Sequence, residues 1–433
     1  MIVINAPRGI KDRIPPEEDQ FLALVSIAEK HLGQAGFKKV GLPIFESASL
    51  FTRSIGVETD IVEKEMYLFE DKGGERFALR PEGTASLLRL AIQHHLIEPA
   101  RITRLSYQGP MFRHERPQAG RLRQFHQVGA EILGTITPQD NIDLLVVIDS
   151  ISRELKLPGT TLFINNMGCS RCRPVFRKAL VEYLETHQSG LCTTCKKRTE
   201  TNPLRVLDCK VEQCQPVIER APSIIDFLCE SSRLHHEAVC SGLRSLSIPF
   251  TVNPRLVRGL DYYTETTFEF VSDALGSQST WAAGGQYDGL IGQLEGPDVP
   301  GAGFAIGVER LALLAEKAGT LRPAHSHTQD ISILPLGELA VPIVQSLIRE
   351  IRNEGISATG IFGTTKIKQG FKQAERDGSR FLLILGEDEM ARREIVVKDL
   401  LTGEQTPFPL SPLAGLIGYI RSVRSQEKIS QLS

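Results

Sequence analysis

The chain has 433 residues, 41% apolar and 24% charged, with a formal net charge of −2. That is the composition of an ordinary folded soluble protein of two or three domains. It excludes a disordered chain and a globally basic nucleic-acid binder, so contact with a polyanion has to rest on local basic patches. No apolar run is long enough to cross a bilayer. MIVINAPRGIKDRIPPEEDQ meets acids and prolines without the apolar core of a leader peptide, so a cytoplasmic protein is expected.

Residues 18–36 have helical spacing and end at Gly36, a C-cap signal. FKKVGLPIFES reads as a strand broken by Pro43, which suits an edge or an interface. MYLFEDKGGERFALRPEGTASLLRLAIQHHL predicts strand, Gly-Gly turn, strand, then a helix opening after Glu82, Gly83 and Thr84. Next comes ITRLSYQGPMF, a loop carrying Arg113, Arg116, Arg121 and Arg123, and QFHQVGAEIL. Alternation on both sides predicts an antiparallel hairpin with an arginine-rich tip. Arginine matches phosphate oxygens bidentately and never loses its charge, so this tip suits a polyanion. The alternative is a solvated charged loop. Gln124, Gln127 and Glu131 on the returning strand weigh against it, because polar groups on a sheet face need partners.

A helix is predicted over 140–155, and about 166–245 reads as a mostly helical insertion holding all eight cysteines. Clustered CxxC pairs in a reducing compartment suggest metal before disulfide. RPVFRKALVEYLETH, between Cys169/Cys172 and Cys192/Cys195, is helical, and ~15 residues of helix span roughly 22 Å. That makes Cys169, Cys172, Cys209 and Cys214 the easier zinc quartet. Reduced, partly buried thiols are the other reading, and the metal stays unassigned.

Strand patterns resume in FTVNPRLVRGLDYYTETTFEFVS, STWAAGGQYDGLIGQL and GAGFAIGVERLALLAEKAG, giving a mixed domain with a largely antiparallel sheet. LRPAHSHTQD reads as a linker. Strands and helices then alternate to the end of the chain, as in a small α/β domain with a partly parallel sheet. There, Lys366, Lys368, Lys372, Arg376 and Arg380, interleaved with Phe371, form a basic cluster. It reads as a solvated helix face or a phosphate-binding one.

Three blocks together resemble the class II aminoacyl-tRNA synthetases. KKVGLPIFES looks like the dimer-forming motif 1, the arginine hairpin like motif 2, and GAGFAIGVERL (Gly301–Leu311) like motif 3 with Gly307, Glu309 and Arg310. LRPEGTA (Leu79–Ala85), GPMFRHERPQAGRLRQFHQVGAE (Gly109–Glu131), LVRGLDYYTETTFE (Leu256–Glu269) and GGQYDGL (Gly284–Leu290) narrow the resemblance to the histidyl-tRNA synthetases. It runs over nearly the whole chain. It implies an α+β class II catalytic domain over 1–325 with a mainly antiparallel sheet, interrupted by the insertion, and an anticodon-binding α/β domain over 326–433.

The implied activity is ATP-dependent attachment of histidine to tRNA(His) through histidyl-adenylate, by a homodimer using Mg2+. Arg113 would meet the α-phosphate and Arg310 the γ-phosphate end. Arg258 would be the fixed cation between carboxylate and α-phosphate. Glu82, Gly83, Thr84 and Gln127 would surround the amino group of histidine, and Glu131 and Tyr263 its imidazole, with Tyr262 beside them. Glu115, Arg121 and Phe125 would line the nucleotide site, with Gln118 and Arg116 at the tRNA acceptor end. Two other readings are a synthetase-like regulatory subunit of ATP phosphoribosyltransferase and an RNA-binding or stress-sensing module. The intact RGLDYY segment and α/β domain oppose the first, and the chain length opposes the second. A different class II synthetase is disfavoured by Glu131 and the Arg258–Tyr263 segment.

Overall fold

The computed structural model describes residues 4–56, 59, 61–98, 101–258, 262–321, 329–364 and 366–430, without the side chains of 277, 278 and 427–430. Two compact units divide the chain, Met1–Leu321 and Arg322–Ser433. Most of the expected linker, 322–328, lies outside the described residues.

In the larger unit, helix α1 (Glu17–Gln34) stops just before Gly36, whose φ of +80° favours glycine. Pro43 falls between two short strands, β1 (Lys38–Lys39) and β2 (Phe45–Ser47), because it has no N–H to give a ladder. Helix α2 (Ala48–Ile55) leads to the hairpin of β3 (Leu68–Glu70) and β4 (Arg76–Leu79). The Asp71 carboxylate ties that turn, accepting the N–H groups of Gly73 and Glu75 at 2.8 and 2.9 Å. Strands β2, β4 and β3 form a small sheet, and helix α3 (Thr84–Gln93) follows it.

The arginine hairpin is built as its alternation predicts. Strands β5 (Thr103–Phe112) and β6 (Gln124–Leu133) pair antiparallel along their whole length. Helix α4 (Pro138–Glu154) opens on a capping box of Thr137 and Asp140. After β7 (Thr160–Asn166) come helices α5 (Cys172–Thr186), α6 (Thr193–Thr201), α7 (Gln215–Glu219) and α8 (Glu230–Ser245). The unit closes with β8 (Phe250–Val252), β9 (Thr264–Ser272), β10 (Thr280–Tyr287), α9 (Leu290–Gln293), β11 (Gly301–Gly307) and α10 (Val308–Lys317).

The main sheet has the order β1-β5-β6-β11-β10-β9-β7-β8 and is antiparallel except at its two edges, where β1 and β8 pair parallel. Its two faces bury different groups. Val128, Ala130 and Ile132 of β6 join Leu24, Leu144, Ile148, Leu243 and Leu311 from α1, α4, α8 and α10 in an apolar core. Each such fully buried side chain contributes about 1.5–3 kcal/mol. Glu131 falls on the other face, opposite Leu105 of β5, where Tyr107, Tyr262, Tyr263 and Tyr287 cluster with Leu87 of α3 and Phe176 of α5.

The cysteines group differently from the favoured quartet. Helix α5 does keep Cys169/Cys172 apart from Cys192/Cys195, but Cys209 and Cys214 return to its far end, not to its start. Cys192, Cys195, Cys209 and Cys214 come together, and Cys169 and Cys172 meet Cys229 instead. Packing decides this. Leu204, Val206, Val217 and Ile218 bury with Leu184 and Leu191, and Tyr183 in the second half of α5 donates to the Val217 carbonyl at 2.9 Å.

The smaller unit comprises β12 (Gln329–Pro335), α11 (Ala340–Asn353), β13 (Ala358–Gly360), α12 (Ile367–Arg376), β14 (Ser379–Leu385), α13 (Glu387–Arg392), β15 (Glu394–Asp399), β16 (Gln405–Pro409) and α14 (Ala414–Ser430). Its sheet, β13-β12-β14-β15-β16, is parallel over the first three strands and antiparallel after them. Lys366, Lys368, Lys372 and Arg376 are exposed on and before α12. Arg380 does not belong with them. It lies on the central strand β14, buried and ion-paired with Asp399, because a charge in that strand needs a counter-charge. Arg380→Ala should therefore destabilise the smaller unit by about 3–5 kcal/mol. Lys368→Ala should change stability by less than about 0.5 kcal/mol. Denaturant unfolding of the intact chain reads both.

Candidate active site

A cavity of about 590 Å³ opens over the polar face of the main sheet, in the size range that holds a small-molecule substrate. The hairpin brings Arg113, Glu115, Arg121, Phe125, Gln127 and Glu131 to it; the start of α3 brings Glu82 and Thr84; the segment before β9 brings Arg258, Tyr262 and Tyr263; and α10 brings Arg310. Except for Gly83, every residue predicted to bind histidine or ATP lines this one cavity. Gly83 caps α3 beside it, where a Cβ would stand 2.1 Å from the Tyr107 ring. Gly259, Leu260 and Asp261 lie outside the described residues.

Glu131 is 1% exposed, and both its oxygens accept hydroxyls: Thr84 Oγ1 at 2.6 Å and Tyr287 OH at 2.6 Å. Burial pushes its carboxyl up to about 8, against the pull of these two hydrogen bonds and with a further push from Glu82. Space for the carboxylate exists because the residue opposite on β11 is Gly303, where a Cβ would stand 1.6 Å from Glu131 Oε2. Glu82 accepts the N–H groups of Thr84 at 2.6 Å and Ala85 at 2.9 Å, so it also satisfies the first turn of α3. Burial raises its carboxyl despite those bonds.

The cations are held in fixed poses. Arg113 donates through Nε to the Pro81 carbonyl at 2.9 Å and sits 5.2 Å from the centre of the Phe125 ring. Arg121 is paired with Glu115, whose other oxygen is 3.9 Å from Arg113. Arg310 donates to the Gly120 carbonyl at 3.0 Å and the Thr280 carbonyl at 2.5 Å. Arg258 is paired with Glu269, which also accepts from Thr280 Oγ1 at 3.0 Å. Burial alone would lower the Arg258 guanidinium, but Glu269 and Tyr263 hold it above its ordinary value. Two residues of the insertion brace the same segment: Arg205 donates to the Arg258 carbonyl at 3.3 Å and Arg173 to the Tyr263 carbonyl at 3.0 Å.

Buried polar atoms of cavity-lining residues with no hydrogen-bond partner among the described residues include Gln127 Oε1 and Arg258 Nε. Each such atom costs about 1–3 kcal/mol, which a polar ligand would recover. The arrangement can therefore bind anionic, hydrogen-bonding substrates and orient them. Sequence reasoning did not single out Tyr287, Glu269, Trp281, Asp208 or Lys210. Tyr287 was within reach, as the one hydroxyl in GGQYDGL. For Asp208 and Lys210 no signal existed, since they arrive from the insertion.

The model of the family described as histidyl-tRNA synthetase matches residues 9–311, and that of the anticodon binding domain matches 330–419. The chain belongs to the histidyl-tRNA synthetase family. A histidine–tRNA ligase from Nitratidesulfovibrio vulgaris is 46% identical over 408 residues, covering 94% of this chain and 96% of the relative. One from Geobacter metallireducens is 43% identical over 413 residues, covering 95% and 98%. The solved apo S. aureus histidyl-tRNA synthetase is 33% identical with a TM-score of 0.80, covering 96% of this chain and 100% of that one. As a histidyl-tRNA synthetase, the chain uses ATP to attach histidine to tRNA through histidyl-adenylate, with a class II catalytic fold and a C-terminal anticodon-binding fold. Among the described residues no helix is long and apolar enough to cross a membrane.

Glu131 makes the free site sensitive to pH. Its folded-state carboxyl titrates near 8, an unfolded glutamate near 4.3, so between these values the folded state holds more protons. Stability from this group is then complete below the unfolded value and falls as pH rises to about 8, by at most about 1.4 kcal/mol per unit. Glu131→Gln should flatten the fall in Tm between pH 5 and 8. An unchanged Tm–pH slope in the variant would show that Glu131 is already ionised in the free protein.

Proposed function

We propose that histidine and ATP meet in this cavity, on the strength of one observation: arginines from three distant segments converge on the same space as a buried, hydroxyl-flanked carboxyl group. The attacking group and the phosphate are both anions, so positive charge and positioning count for more than acid–base chemistry. In this reading a histidine carboxylate oxygen attacks the α-phosphorus, a P–O bond forms, and the bond to pyrophosphate breaks. Arg258, with its unpartnered Nε, spans carboxylate and α-phosphate. Arg113 takes the same phosphate from the hairpin side, and Arg310 holds the γ-phosphate end. Phe125 carries the adenine, with Arg121 and Glu115 beside the nucleotide.

Glu82, Gly83, Thr84 and Gln127 surround the amino group of histidine, Gln127 through its unpartnered Oε1. Glu131 and Tyr263 meet the imidazole, and Tyr262 walls the pocket with its ring centre 4.7 Å from that of Tyr263. A side chain without ring nitrogens would leave these buried groups unpaired, which is how the site rejects it. Oxygen donors on Glu115 and Glu269 fit Mg2+, which would neutralise phosphate charge when bound with ATP. Arg258→Ala should cut the adenylation rate by roughly 10²–10³ with little change in histidine affinity, read by histidine-dependent ATP–pyrophosphate exchange. Lost affinity with turnover preserved would reduce Arg258 to a substrate-positioning role.

The exposed Lys366, Lys368, Lys372 and Arg376 suit the backbone of tRNA(His) as it binds the smaller unit. Eight free cysteines fit the reducing cytoplasm. A homodimer is supported by the small sheet of β2, β4 and β3. It leaves Ile44, Phe45, Leu68 and Phe69 more than 40% exposed, with the rings of Phe45 and Phe69 5.7 Å apart. Aromatic residues clustered in the open mark an association surface. Phe69→Asp should convert the dimer to monomer in size-exclusion chromatography with light scattering; an intact dimer would place the interface elsewhere.

A further inference from the structure

We propose that Cys192, Cys195, Cys209 and Cys214 bind a zinc ion that holds the Arg205–Lys210 segment of the insertion against the active site. Their four sulfur atoms lie within 4.8 Å of one another, and Cys192 Sγ and Cys209 Sγ are 4.0 Å apart. A tetrahedral zinc with Zn–S bonds of about 2.3 Å needs S···S edges of about 3.8 Å, so the sulfurs already stand near their coordinating positions. All four are free thiols.

The surroundings suit thiolates. The Cys192 N–H donates to Cys214 Sγ at 3.2 Å, and the Val211 N–H donates to Cys209 Sγ at 3.4 Å. Such bonds offset the negative charge of a tetrathiolate. Cys195 and Cys214 are fully buried, Cys209 is 9% exposed and Cys192 is half-buried, so most of the sulfur shell is turned away from solvent, as in a structural zinc centre. An all-sulfur donor set favours a soft or borderline ion over Mg2+. The second cluster differs. Cys169, Cys172 and Cys229 have no fourth cysteine, histidine or carboxylate in their group among the described residues, so they lack a structural zinc shell.

The site sits at the two ends of a functional segment. Between Cys195 and Cys209 the chain carries Arg205, whose Nη1 holds the Arg258 carbonyl, and Asp208, which lines the substrate cavity; Lys210, just past Cys209, lines it too. Regular structure there is limited to the rest of α6 and one 3-10 turn, Pro203–Val206. A metal cross-link at both ends fixes that segment where helix or sheet does not.

The test is elemental analysis of the intact protein, purified without chelator after growth in zinc-supplemented medium. About one zinc per chain is expected, with four sulfur neighbours near 2.3 Å by X-ray absorption. Cys192→Ser and Cys209→Ser should each lose the ion, and Cys229→Ser should keep it. Wild-type protein without stoichiometric zinc, a shell of three sulfurs, or zinc retained in both variants would overturn the site. Because the wild-type measurement stands alone, a variant that fails to fold does not rescue the idea. Stripping the ion should raise amide hydrogen exchange across 203–211 at least tenfold, and unchanged protection there would refute the ordering role.

Discussion

The catalytic unit is organised around one buried carboxyl group. Glu131 lies on a central strand of an eight-stranded sheet, with a hydroxyl on each oxygen and a glycine opposite in place of a side chain. A lone carboxylate at that depth would be prohibitive. Hydroxyls that donate to it, and burial that keeps its proton on to about 8, make it tolerable. The tyrosines, the start of α3 and the glycine of β11 are arranged to suit it. The proposed imidazole contact rests on this same chemistry, since a ring N–H and a carboxyl group are complementary.

Around this centre the cations are pre-positioned by backbone carbonyls and one carboxylate. Arg113 is anchored on the Pro81 carbonyl, Arg258 on the Glu269 carboxylate, and Arg310 on the Gly120 and Thr280 carbonyls. Anchored arginines lose little further freedom on meeting an anion, so their charge is offered without reorganisation. The insertion takes part in the same design. Arg173 and Arg205 grip the carbonyls of Tyr263 and Arg258, the two ends of the RGLDYY segment. A helical excursion that looks peripheral along the chain thus braces the segment carrying Arg258.

Much was legible in the amino-acid order. Alternation across ITRLSYQGPMF and QFHQVGAEIL predicted the hairpin, and Pro43 and Gly36 marked breaks where they occur, because local backbone chemistry acts over a few residues. The polar residues on the returning strand pointed to a ligand-facing sheet. Less legible was pairing between segments. Arg380 reads as one more basic residue after α12, yet it is buried against Asp399, since only the sheet order makes β14 central. The cysteine quartet went the same way: spacing suggested Cys169, Cys172, Cys209 and Cys214, and hydrophobic packing at the far end of α5 chose Cys192 and Cys195 as partners for the last two.

By itself, the sequence determined the elements, the antiparallel hairpin with its arginine tip, the α/β character of the last hundred or so residues, and through its motifs the family. These depend on short-range periodicity and on residues close together in the chain. Tertiary structure alone decided which groups meet: Tyr287 with Glu131, Glu269 with Arg258, Gly303 making room, and Arg205 reaching the Arg258 carbonyl. Such contacts depend on sheet register and on which face each strand turns inward. A shift of one residue in a strand would move Glu131, Glu269 or Tyr287 to the opposite face.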